Sequence, residues 1–177
     1  RSVENVIAEL KMLIEKYAQD DLLAESIGKA GNLVLGYFFL MDDREADHIT
    51  LQQAKNAQAL LAPFSVGIVR QKDRETAETV RTAKGAEPNI QVFTREAKGA
   101  GYFNILADAD GTQRHKSLVI KYKDSYYPSL ELEALRVYSR QGRGQMVLEL
   151  SEYGISGLLV GTRKIPVDEQ GRILLNF

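Results

Sequence analysis

This chain has no cysteine and no tryptophan, only four prolines and only two histidines. The missing cysteines exclude disulfides, thiolate metal sites and cysteine nucleophiles together, and leave the redox compartment open. An excess of either charge is lacking as well. Lys and Arg total 23 against 24 Asp and Glu, a formal net charge of −1. That supplies neither the basic field nucleic acid requires nor an acidic field for cationic partners. The longest apolar run, residues 33–41 (LVLGYFFLM), falls far short of the ~20 residues a membrane helix needs. No signal peptide is visible. The chain opens on Arg1 rather than Met, so it reads as a piece of a longer protein and says nothing about membrane segments elsewhere in it.

What is present has the composition of a globular domain: 177 residues, 44% hydrophobic and 27% charged. Val3, Val6, Ile7, Leu10, Leu13, Ile14 and Tyr17 recur at three- and four-residue steps, which predicts a helix over 3–17. The stripe suits a core-facing helix or a heptad seam. A second helix, DDLLAESIGKA, ends at Gly31, the residue type that takes the left-handed cap position most easily. The all-apolar run at 33–40 then predicts a central strand covered on both faces. MDDREADH reads as a polar loop. Thr50 can cap a helix reaching about Leu61, with Pro63 as its stop. FSVGIVR is a strand, residues 71–89 read as a weak helix and loop, and a helical turn lies near TREAKGA.

The second half is richer in strands. Residues 102–106 and 113–122 flank a turn at 108–111, and KDSYY is a second tight reversal. SLELEALRVYSRQ is a helix whose Leu130, Ala134, Leu135, Val137 and Tyr138 can face a core. Strands near 146–150, 156–161 and 164–167 precede a pair across DEQG. The fold class is therefore mixed α/β: a central mixed sheet with flanking helices and a hairpin-rich second half. No repeat or low-complexity segment interrupts it.

No motif for chemistry holds up. Setting Gly111 as the central glycine of a calcium loop places Asp108 and Asp110 correctly, but leaves Leu106 and Ser117 where two of the strongest ligands belong. The aspartates fit a turn better, since Asp bonds its local backbone and Gly tolerates positive φ. A hydrolytic role for Asp108 or Asp110 would need a cleft that spacing does not show. His48 and His115 lack a second histidine at metal spacing. GISGL ends on Leu158 where the G-x-S-x-G elbow needs Gly, and SIGK stands without its partner motifs. GAG at 99–101 has Asn104 where a dinucleotide fingerprint wants Gly, and it precedes a strand. Catalytic residues, metal ligands and cofactors are accordingly none. Ser129 is placed to cap the helix behind Pro128. With Arg114 and Tyr127, that helix start is also the candidate site for a small anion.

The order of the pieces is more telling. GYFN, DADGTQR, an apolar strand, YYPSLELEAL and IPVDEQGRILLNF follow one another as in the second half of a known family, and DDLLAESIGKAGNLVLGYFF resembles its earlier helix-then-strand segment. The chain resembles the bacterial CHASE sensory domain of the second type (cyclase/histidine-kinase-associated sensory extracellular), loosely over residues 20–177 and well over 99–135 and 164–177. The resemblance implies a periplasmic input domain of a bacterial inner-membrane protein. Such a domain passes an unknown small-molecule signal to a cyclase, histidine kinase or similar output module, with no catalytic residue of its own. The alternative is a non-sensory module that homodimerises its parent or docks another protein. Against the family pattern, an opening strand-helix-strand unit and the strands after Phe177 are missing. The expectation is thus a single domain, 1–177, truncated at both ends.

Overall fold

The computed structural model describes residues 3–17, 19–71, 79–106 and 110–175. Helix α1 (Val3–Tyr17) leads into α2 (Gln19–Ala30), which closes on Gly31 at φ 64 as its sequence position predicts. The apolar stripe of α1 does not face the core. Val3, Val6, Ile7, Leu10 and Leu13 are 42–75% exposed.

Strand β1 (Val34–Leu40) is the centre of a three-stranded sheet, as its unbroken apolar run predicts. It pairs in parallel with β5 (Gly99–Tyr102) and antiparallel with β4 (Gly85–Glu87). Just beyond β5, Asn104 takes over the strand's work with its side chain. Phe39 N–H donates to Asn104 Oδ1 at 2.9 Å, and Asn104 Nδ2 donates to the Phe39 carbonyl at 2.7 Å. The polar loop after β1 holds a short helix, α3 (Asp43–Ala46), because the Asp42 side chain accepts from Glu45 N–H at its start. Helix α4 (Leu51–Leu61) begins with a Thr50–Gln53 capping box and gives way to a tight turn at Ala62–Phe64 containing Pro63.

Three expectations are corrected here. Of the weak helix expected over 71–89, residues 72–78 lie outside the described residues. The remainder forms β3 (Thr82–Ala83) and β4 instead. Each has a waiting partner, β7 (Val119–Tyr122) for β3 and β1 for β4, and pairing decides where a sequence has no firm period. The hairpin expected of 102–106 with 113–122 does not form. One edge of β5 is taken by β1 and Tyr102 bridges to Ser129, so β6 (His115–Ser117) pairs with β12 (Arg172–Leu174) from the chain's end. For the same reason β12 does not pair with β11 (Arg163–Ile165) across DEQG. Strand β11 joins β10 (Gly154–Val160), β9 (Met146–Ser151) and β2 (Ile68–Gln71) in a four-stranded sheet. The reversal at KDSYY does form: Lys123, at φ 54, turns β7 into β8 (Ser125–Pro128). Asp108 lies outside the described residues. Asp110 and Gly111 behave as a turn, with Asp110 Oδ1 accepting from Thr112 N–H at 3.1 Å and Gly111 at φ 80.

Two apolar clusters fill the interior. In one, the Phe39 ring sits 5.2–5.7 Å from the rings of Tyr37, Tyr102, Tyr122 and Tyr127. The other joins Leu118, Met146, Leu148, Ile155, Leu158 and Val160. Helix α6 (Leu130–Tyr138) lies on β5 and β1 while its Leu132 belongs to the second cluster, so it spans both.

A glycine seats that helix. A Cβ on Gly101 would come within 2.6 Å of the Leu130 Cα and the Ser129 carbonyl oxygen, both backbone atoms that cannot swing aside. Gly101→Ala should therefore destabilise the protein by about 2 kcal/mol, the usual range of overpacking, which corresponds to a Tm lower by about 4–8 °C. Gly144→Ala, with nothing within 4 Å of the added carbon, is the control and should leave the melting curve in place. Equal melting of the two variants would show that α6 does not rest on β5 through Gly101.

Candidate functional site

Helix α6 starts at Ser129, whose hydroxyl accepts from Leu132 N–H at 3.3 Å and whose backbone N–H donates to the Leu118 carbonyl. Its sequence carries two stripes at helical spacing. The apolar one, Leu130, Ala134, Leu135, Val137 and Tyr138, is the face expected to meet the core. The structure buries the other: Ser129, Leu132, Glu133 and Arg136 are 0–4% exposed, while Tyr138 is 89% exposed. Glycines decide the matter. With no Cβ at Gly99 or Gly101, α6 comes down close to β5, and the Glu133 carboxyl occupies the space a side chain on Gly99 would need.

Glu133 is neutralised where it lies. Arg136 Nε donates to Oε2 at 3.0 Å and its NH2 nitrogen to Oε1 at 2.8 Å. From the turn after the helix, Arg143 donates to both oxygens at 2.9 and 2.5 Å. This is a forked guanidinium on each side of one buried carboxylate. The arginines also bind backbone: Arg136 reaches the Gln141 and Lys98 carbonyls, and Arg143 the Phe64 carbonyl. One cluster thereby ties together α6, the residue before β5, the turn after α4 and the turn before β9. Burial pulls the Arg143 guanidinium below its ordinary range, against the attraction of Glu133. Nearby, burial first and then the Tyr127 and Glu133 side chains hold the Tyr37 hydroxyl well above its usual value. Both oxygens of Glu133 are bound to guanidinium groups, and its side chain has no exposure through which to meet a substrate.

Two clefts open on this framework and share Pro63, Phe64 and Arg95 as their divide. The first, about 940 Å³, lies between α4 and α5 (Gln91–Glu96), with His48, Gln53, Asn56 and Glu87 on its walls. His48 Nε2 and Glu87 Oε1 stand 3.2 Å apart there, both more than half exposed. The second, about 1100 Å³, runs along the C-terminal half of α6. Its charged lining is entirely basic: Arg95, Lys98, Arg136, Arg140 and Arg143. Among the described residues, no three His, Asp or Glu side chains gather as a metal site would require.

The candidate residues read from sequence lie elsewhere. Ser129 is wholly buried as the helix cap, and Tyr127 is 1% exposed within the tyrosine cluster. Arg114 is half-exposed and pairs with Asp110 at 2.8 Å. Together with the Thr112 N–H, whose hydrogen bond is the larger cause, this contact holds the Asp110 carboxyl below its usual range. None of the three lines either large cleft. Sequence reasoning passed over Glu133, Arg136 and Arg143. The available signal was the 129-132-133-136 spacing read together with the glycines at 99 and 101.

Among the described residues, no helix is long and apolar enough to cross a membrane. Comparison with curated proteins and with solved structures finds no match. A family model does match, across residues 5–177, and that family is a sensory domain of signalling proteins. A mixed α/β chain with an apolar central strand, a capped helix seated on glycines and two open clefts thus takes its place: it belongs to the CHASE2 domain family.

Proposed function

We propose that the chain is the ligand-sensing input domain, outside the cytoplasmic membrane, of a membrane-bound bacterial signalling protein. The observation that carries this reading is the family match over residues 5–177. The pair of clefts around Phe64 supports it, since a ligand in the first would touch α4 and α5 together and one in the second α5 and α6. A sensor needs a ligand that prefers one of two conformations, and it needs no catalytic constellation.

The test uses the parent protein. Alkaline phosphatase and a fluorescent protein are fused in turn directly after this chain, within the full reading frame. Active phosphatase with a dark fluorescent fusion is the expected result. The reverse pattern would place the chain inside the cell and overturn the location, together with any signal that must come from outside.

A second reading, homodimerisation through α1, is favoured by one observation. The exposed stripe on that helix has the three-four spacing of a two-stranded coiled coil. Sedimentation equilibrium decides between self-association and a monomer at high concentration.

A further inference from the structure

We propose that the cleft along α6 binds a small organic anion, a carboxylate or phosphate carried on an apolar body. This rests on the ligand-sensing reading above and names the ligand class and the residues that would take it. The chain as a whole has a formal charge of −1, yet five cationic side chains and no carboxylate line this cleft.

Two of the five are committed. Arg136 and Arg143 share Glu133, which leaves that cluster with one positive charge in excess, and Arg143 still exposes a quarter of its side chain. The other three have no carboxylate partner among the described residues. Arg95 neighbours the Gln91 side-chain amide, and among the described residues neither Lys98 nor Arg140 forms an ion pair. Cations near the end of α6 would ordinarily be credited to the helix dipole. That account covers Arg136 and Arg140, but Arg95 and Lys98 come from another part of the chain, at and just after α5.

Arg140 sits at φ 54, just past the helix end, in the left-handed position that closes the helix, with Gln141 N–H bonded back to the Arg136 carbonyl. The floor between the charges is apolar, formed by Val34, Pro63, Phe64, Ala97 and Val137. Cationic rim and apolar floor together suit an amphipathic anion. Inorganic phosphate alone would leave the floor wet.

The experiment titrates the purified chain with benzoate, phenyl phosphate, inorganic phosphate and neutral benzyl alcohol, following amide shifts by NMR. Benzoate or phenyl phosphate should saturate, shifting residues 95–98 and 136–143. Inorganic phosphate should bind more weakly and benzyl alcohol should not saturate. Lys98→Glu with Arg140→Glu should weaken binding about tenfold or more, each change removing a charge-assisted contact. Arg114→Glu, outside the cleft, should leave it unchanged. If the double reversal fails to fold, Lys98→Met with Arg140→Met takes its place, with the same weakening expected. No saturation by any anion, or equal binding by wild type and the cleft variants, overturns the proposal. So does binding to phosphatidylglycerol vesicles without binding to the soluble anions. In the parent protein, output that still answers its signal with Lys98 and Arg140 reversed would reject this cleft and leave the sensory reading standing. Output that never responds to any extracellular condition would reject the sensory reading itself.

Discussion

Glu133→Ala should destabilise the protein by about 3–5 kcal/mol, the range for breaking a buried ion pair by removing one partner. Two guanidinium groups would be left facing each other across the vacated carboxylate, with Arg136 only 4% exposed. The three charge-assisted anchors to the Gln141, Lys98 and Phe64 carbonyls would then have to hold like charges together. Urea unfolding reads the effect as a shift in midpoint with little change in slope. Glu133→Leu combined with Arg136→Met and Arg143→Met should recover part of the loss, because with both guanidinium groups replaced no charge is left stranded. A single-variant loss below about 1 kcal/mol would mean the cluster is wetter and looser than its geometry indicates.

Asn104→Ala should cost about 2–6 kcal/mol, one desolvated donor and one desolvated acceptor at the usual 1–3 kcal/mol each. The Asn104 amide is the partner of the Phe39 N–H and carbonyl, and Phe39 has no exposure at all. Hydrogen exchange gives the more specific readout. The Phe39 amide should exchange much faster in the variant, while amides in β9 and β10, in the other cluster, should change only as far as global stability falls. Unchanged protection at Phe39 would show that the strand does not depend on this side chain.

The elements that announced themselves in the sequence share one property: their signals are local. Thr50 before a helix, Gly31 after one and Ser129 before another are decided within a few residues, and each appears where expected. The all-apolar run at β1 also needed nothing beyond itself to be read as central. What could not be read locally was pairing between distant segments. Residues 113–122 have a turn before them and look like the second arm of a hairpin, yet β6 takes its partner from residues 172–174. The basic cleft was hidden for a related reason. Its cations come from 95–98 and 136–143, two segments unremarkable alone, and they meet only because Gly99 and Gly101 let α6 settle on the sheet. The GAG that resembles a failed nucleotide motif is the helix's seat. Arg114, Tyr127 and Ser129 were singled out by proximity along the chain, whereas in space Ser129 and Tyr127 face inward and Arg114 faces Asp110.

The parallel pairings have a consequence for how the molecule comes into being. Val34 meets Gly99, Ile68 meets Val147 and Thr82 meets Lys121, so three of the sheets are closed by contacts far apart in sequence. Such contacts require large loops to be ordered before any stabilisation is returned, and chains built on them fold slowly. A nascent chain carrying β1 must leave one edge of that apolar strand unpaired until β5 has emerged, even once β4 can pair with the other. Synthesis would therefore run ahead of folding, and the chain takes its final shape only after segments distant in sequence have all emerged.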